Sequence, residues 1–148
     1  MLGVRLCTLE IRYREEMMLD QNTHIDEGVE LFKAGKFDEA IRLLEKASRE
    51  YPNSYEAFVY LGAGYAQQGR HNAAIGAFRR ACEIKPGSPR VHYNLGQAYE
   101  AAGVPREAWF EYKNALEIDP EYGLARGALI SLSQRLPKLL SGGIEVAA

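Results

Sequence analysis

The chain has 148 residues, 47% hydrophobic and 26% charged, with 18 Lys and Arg against 20 Asp and Glu for a formal net charge of −2. That length is about one domain, and the near-neutral balance offers no dominant electrostatic pull toward nucleic acid or an anionic membrane surface. No apolar run approaches the roughly 20 residues of a membrane-spanning helix. The start MLGVRL lacks the apolar core and cleavage site of a secretory signal, so a cytoplasmic protein is expected. The two cysteines, Cys7 and Cys82, stand far apart in unlike segments. They suggest neither a disulfide framework nor a metal site, and read as structural thiols.

Residues 1–20 form an N-terminal extension expected to be disordered or loosely packed. Leu9, Ile11 and Tyr13 alternate there with Thr8, Glu10, Arg12 and Arg14, a strand-like period. A lone strand has no obvious partner. The segment is either disordered, or folded over the first repeat as an internal pseudo-ligand, or upstream of a natural start at Met17 or Met18.

From residue 21 the chain repeats itself. A 34-residue step carries Gly28 to Gly62 to Gly96, Gly35 to Gly69 to Gly103, and Ala40 to Ala74 to Ala108. It also carries Ala47 to Ala81 to Ala115 and Pro52 to Pro86 to Pro120. The copies are 21–54, 55–88 and 89–122, each reading as helix, tight turn, helix. In the second, Phe58, Leu61, Tyr65 and Ala66 share one helical face, Gly69 breaks it, and Ala74, Ile75, Phe78, Ala81 and Cys82 restart the period. Ser54 and Ser88 stand where leading helices begin and are expected to cap them. Pro89 and Pro105 suit the first helical position, where a missing N–H costs nothing. Gly62 and Ala74, with their copies, are the expected crossing points of the hairpins, and Phe78, Tyr65, Tyr112 and Tyr99 fill the space beside them. Ala47, Ala81 and Ala115 leave room for the next repeat's first helix. Residues 123–136 read as a closing helix, with Leu124, Ala125, Ala128, Leu129 and Leu132 at helical spacing and Pro137 ending it. Residues 137–148, with Ser141, Gly142 and Gly143, read as a flexible tail.

The period and the pattern aromatic, Leu, Gly, Tyr, Ala, Phe, Ala, Pro resemble the tetratricopeptide repeat. Phe58, Leu61, Gly62, Tyr65, Ala74, Phe78, Ala81 and Pro86 match all of it. The third copy matches at Leu95, Gly96, Tyr99, Ala108, Tyr112, Ala115 and Pro120, with His92 at the aromatic place. The first is weaker, with His24 and Glu27 departing, as a terminal copy does. The resemblance implies an all-α, right-handed superhelical solenoid of antiparallel helix pairs, and an adaptor or scaffold that holds a peptide or partner helix in its concave groove.

Carried over position by position, the groove-facing residues are Asn22, Ile25, Asp26, Val29 and Phe32, then Glu56, Val59, Tyr60, Ala63 and Ala66, then Arg90, Tyr93, Asn94, Gln97 and Glu100. One subgroup of the family grips a terminal carboxylate with Lys, Asn and Arg at such places. Here Ile25, Val29 and Tyr60 stand instead, leaving Arg90 and Asn94, too few donors to replace the water a carboxylate would lose. The expected partner is a partly apolar protein or peptide segment, such as an amphipathic helix against Ile25, Val29, Phe32, Val59 and Tyr93. Those side chains would instead be hidden if they pack on neighbouring helices or on the chain's own N-terminus.

Catalytic chemistry is not expected. His24, His71 and His92 form no metal-ligand or nucleophile signature, and no cofactor is implied. His71 reads as solvated beside a turn, and Trp109 as packing. Two other functions compete: self-association through an end or an apolar terminus, and RNA binding by a related helical array. The second lacks the basic concave face it needs.

Overall fold

A computed structural model describes the backbone of residues 2–141 and the side chains of residues 8–15 and 23–137. Seven helices run through the described residues: α1 (Leu2–Lys33), α2 (Phe37–Glu50), α3 (Tyr55–Gln67), α4 (His71–Ile84), α5 (Pro89–Ala101), α6 (Pro105–Ile118) and α7 (Gly123–Ser141). Each helix packs on its neighbours in sequence, and the leading helices α1, α3 and α5 also touch in order. This is the expected all-α solenoid of helix pairs.

The turns explain the period. Gly35, Gly69 and Gly103 hold φ of 77°, 71° and 78°, the left-handed region that glycine enters without a Cβ clash. Each thereby ends a leading helix within two residues of the next helix's cap. Pro89 and Pro105 open α5 and α6 as expected. Ser54 caps α3, its side chain accepting from the Ala57 N–H at 3.3 Å. Ser88 does not cap α5; its hydroxyl shares a 2.9 Å hydrogen bond with Tyr55 instead, joining the start of α3 to the residue before α5.

The crossing points differ from expectation in one respect. Ala74 is fully buried, yet the group lying over Gly62 is the ring of Phe78, sixteen residues on. A Cβ added at Gly62 would stand 2.7 Å from that ring; at Gly28 it would meet Leu44 at 2.8 Å, and at Gly96 Tyr112 at 2.5 Å. The bulky residue is seated on bare backbone, and the helices close around it.

Both ends depart from the sequence reading. The alternating stretch is helix, not strand. Leu, Glu, Arg and Met are strong helix formers, and the segment extends an existing helix, so it bears no nucleation cost. Nor does it fold over the first repeat, since Leu9, Ile11 and Tyr13 are 62%, 52% and 68% exposed. At the other end α7 continues through Pro137 to Ser141. Proline removes the bond to the Ser133 carbonyl, but Leu136, packed against the cluster of Ala108, Tyr112 and Leu132, holds the preceding turn helical. Residues 142–148, the remainder of the expected tail, lie outside the described residues. No helix among the described residues is long and apolar enough to cross a membrane.

Gly62→Ala should lower the free energy of unfolding in urea by about 1–3 kcal/mol, because the buried Phe78 ring has nowhere to move. Gly76→Ala is the control. That glycine lies within α4 with nothing inside 4 Å of a new Cβ, and the change should raise stability by about 0.5–1 kcal/mol.

Candidate functional site

The leading helices place the expected groove residues in three different environments. Ile25, Val29 and Val59 are core: they are 6%, 5% and 4% exposed. They therefore present no apolar face to a ligand, which corrects the expectation of an apolar stripe. The physical reason is that all three side chains join one core cluster with residues of α2, α3, α4 and α5, which leaves the leading helices a narrow open face. Asn22 lies outside the described side chains. Phe32 is half-buried, its ring edge-on to Phe37 and Tyr60 at 5.3 and 5.5 Å. Tyr93 is half-buried between the rings of Tyr112 and Tyr122, at 5.8 and 5.9 Å. Asp26, Glu56 and Arg90 are exposed.

Ala63, Asn94 and Gln97 do come together. With Ala66, Gln67, Ala98 and Ala101 they line a cleft of about 360 Å³ between α3 and α5, backed by Phe78 and His71 of α4. Four alanines and three side-chain amides are among its lining residues. Gln97 donates to the Tyr93 hydroxyl at 2.9 Å, which leaves one of its amide hydrogens and its carbonyl for a ligand. The sequence reading missed Gln67 and Ala101, although each stands one helical turn beyond an identified position, Ala63 and Gln97. It also placed His71 in solvent. The ring is half-buried, and its Nδ1 is enclosed with no hydrogen-bond partner among the described residues.

At the C-terminal side of the cleft, Glu100 is taken. One carboxylate oxygen accepts from Tyr112 at 2.5 Å and the other from Arg135 of α7 at 2.6 Å. Burial and that carboxylate together push the Tyr112 pKa well above a phenol's usual value. Tyr65 behaves alike: burial and its 2.5 Å bond to Glu45 of α2 push its pKa up to about 12. Both phenols thus stay protonated donors and serve as fixed struts.

The placement of α5 depends on His92, which stands where the repeat pattern has an aromatic ring. Its Nδ1 faces Cys82 of α4 at 3.9 Å and the Glu111 carboxylate of α6 at 2.7 Å, and its Nε2 donates to the Pro86 carbonyl at 3.1 Å. Cys82 and Glu111, helped by Pro86, push the imidazole pKa from 6.5 up to about 10 against the opposing effect of burial. The ring is therefore an imidazolium at neutral pH, bonded to both the preceding turn and the following helix. Among the described residues no group of His, Cys, Asp or Glu has the arrangement of a metal site.

The comparisons agree with this architecture. Models of the tetratricopeptide repeat match residues 25–89 and 89–122. The chain belongs to the tetratricopeptide repeat family. Among solved structures it is similar to the first TPR of Spaghetti (RPAP3) bound to the HSP90 peptide SRMEEVD, at 24% identity over 79% of this chain and 93% of that one, TM-score 0.76. The first TPR domain of human RPAP3 is 23% identical over 82% and 95% of the two chains, TM-score 0.76. The Arabidopsis OM64 TPR domain is 17% identical over 79% and 97%, TM-score 0.75. At these identities the likeness is one of fold. No curated protein sequence matches the chain.

Because folding raises the His92 pKa, the stability it contributes is complete below its ordinary value near 6.5 and is lost as pH rises through about 10. Urea unfolding of the wild type should weaken between pH 6 and pH 10.5 by on the order of 1–3 kcal/mol more than that of His92→Phe, the worth of hydrogen bonds to a charged group. Equal pH profiles would contradict this assignment.

Proposed function

We propose that this chain is a protein-interaction adaptor that binds an extended peptide segment across its leading helices, in the cleft between α3 and α5. The observation that carries the reading is the cleft's composition. Alanines at 63, 66, 98 and 101 leave room for a chain, and Gln67, Asn94 and Gln97 offer both donors and acceptors at its edge. An extended segment has free N–H and C=O groups to pair with such amides. A helix has already satisfied its own, and of the apolar residues that would have seated one, Ile25, Val29 and Val59 are buried. The peptide reading therefore stands in preference to a partner helix.

The ligand differs in kind from a terminal carboxylate. Ile25 and Val29 are buried and uncharged, Tyr60 is half-buried, and the exposed charges on this face include Asp26 and Glu56 beside Arg90. The relative above holds the acidic peptide SRMEEVD on the same fold. Fold alone does not carry that specificity across. The three repeats are taken as 21–54, 55–88 and 89–122, with 123–136 closing the last. No cofactor enters this reading, and neither nucleic acid nor catalysis does.

The test is affinity capture and peptide-array binding with Asn94→Ala/Gln97→Ala beside the wild type. Two lost hydrogen bonds at about 0.5–1.5 kcal/mol each should weaken binding about tenfold, with circular dichroism unchanged. Undiminished capture would reject the cleft.

Self-association is a second reading, favoured by one observation: Leu9, Ile11 and Tyr13 project from the extension of α1 with most of their surface in water. If it holds, the sedimentation coefficient should rise with concentration for the wild type and stay constant for Leu9→Asp/Tyr13→Asp.

A further inference from the structure

Two exposed surfaces at opposite ends of the solenoid complement each other. The first is the part of α1 that precedes the repeats. Every side chain of residues 8–15 is exposed, so the apolar groups of this stretch find no cover among the described residues. Leu9 and Tyr13 lie one turn apart on one face, 62% and 68% exposed. Glu10 and Arg12 flank that face on its two sides. The second surface is a cleft of about 290 Å³ on the flank of α6 and α7, lined by Arg106, Trp109, Phe110 and Leu136. Trp109 and Phe110 meet edge-on at 5.2 Å, and Phe110 is 59% exposed. Lys113 stands 4.7 Å from the Trp109 ring centre. Along α6, Arg106 and Lys113 lie to one side of Phe110 and Glu107 to the other. Glu10, Arg12, Arg106, Glu107 and Lys113 have no ion-pair partner among the described residues.

We propose that the α1 extension of one copy docks on the α6–α7 flank of a second copy. The proposal rests on the self-association reading above and names the surface that receives the extension. A helix laid in a groove engages it through side chains one turn apart. Leu9 supplies an aliphatic group and Tyr13 a ring for Trp109 and Phe110. The charges fix the direction. Where two parallel helices face each other, opposite sides of the facing stripes meet. That brings Glu10 to Arg106 and Lys113, and Arg12 to Glu107. An antiparallel placement would set Glu10 against Glu107 and Arg12 against the two cations. The extension therefore runs parallel to α6. Its own flank is out of reach. Leu9 precedes Ile25, the first buried residue among those described, by about 24 Å of helix. Helix α1 packs on α2 and α3, whereas α6 packs on α5 and α7. Each joined copy leaves one extension and one flank free, so the assembly is an open chain of copies rather than a closed dimer.

Sedimentation is compared for four samples: the wild type, Leu9→Asp/Tyr13→Asp, Phe110→Asp, and an equimolar mixture of the two variants. Protein concentrations run up to about 1 mM, where contacts this small act. The substituted side chains are all exposed, so circular dichroism should be unchanged. The wild type should grow steadily with concentration, and each variant alone should stay monomeric. The mixture should form a 1:1 dimer and nothing larger, because one variant keeps the flank and the other keeps the extension. Arg106→Glu/Lys113→Glu should weaken association, and Glu10→Lys in the same chain should restore it; failure to restore would overturn the parallel placement. Association of Phe110→Asp equal to the wild type's would overturn the proposal and leave self-association standing, as two extensions paired with each other would give. A mixture that stays monomeric beside an associating wild type would overturn it as well. A wild type that is monomeric throughout would sink both this proposal and the self-association reading. None of the substituted residues lines the cleft between α3 and α5, so peptide capture there is measured independently.

Discussion

In each helix pair a large side chain from the trailing helix rests directly on a glycine of the leading helix: Leu44 on Gly28, Phe78 on Gly62, Tyr112 on Gly96. This contact sets how near two helix axes come and, because it sits mid-hairpin, which faces meet. Once it is fixed, the buried alanines Ala47, Ala81 and Ala115 lie where the next leading helix must dock. The contact has no copy in α7. One period beyond Gly96 stands Ile130, 55% exposed on α7. Its branched side chain occupies the place a further trailing helix would need, and Pro137 stands where the turn glycine would be. Helix α7 thus covers α6 with Ala125 and Leu132 while its outer surface is unsuited to another hairpin.

Apolar packing runs within and between repeats, and hydrogen bonds are added where one repeat meets the next. Tyr65 bonds to Glu45, the Arg80 guanidinium to the Pro52 carbonyl, and His92 to the Pro86 carbonyl, while Tyr55 and Ser88 join the starts of α3 and α5. Apolar packing tolerates small sliding, whereas a hydrogen bond fixes direction as well as distance. A solenoid's shape is set by the small rotation from one repeat to the next, so these bonds control the curvature. The α3–α5 cleft has one wall from each of two repeats, and its width follows from the joint that His92 and Tyr55 hold.

The parts of this fold that could be read from sequence are those that recur. Glycine at turns, small residues at docking points and proline at helix ends hold register through three copies, so a single unusual residue could not mislead. The failures occur where nothing repeats. Leu9, Ile11 and Tyr13 alternate for only a few residues, too short a run to outweigh helix-forming neighbours continuous with α1. Ser88 has the right place and side chain for a cap, but Tyr55 is a competitor that local sequence cannot show. Pro137 ends helices when only local bonds matter, and here Leu136 is anchored from outside the helix.

Which residues share a leading-helix face was legible, but how far each is buried was not. Helical spacing identifies which residues share a face. It does not say how much of that face the neighbouring helices cover, and Ile25, Val29 and Val59 fell on the covered side. Attention to large or charged residues also points away from this site, whose space comes from what is missing. Alanines at 63, 66, 98 and 101 read singly as good helix formers; only when α3 and α5 are set side by side do they leave a trough. The amides beside that trough are the groups that can pair with a peptide backbone whatever its side chains. On the reading proposed above, selectivity would come from the flanking charges Asp26, Glu56 and Arg90, which are exposed, and from how far the trough admits bulk beside His71.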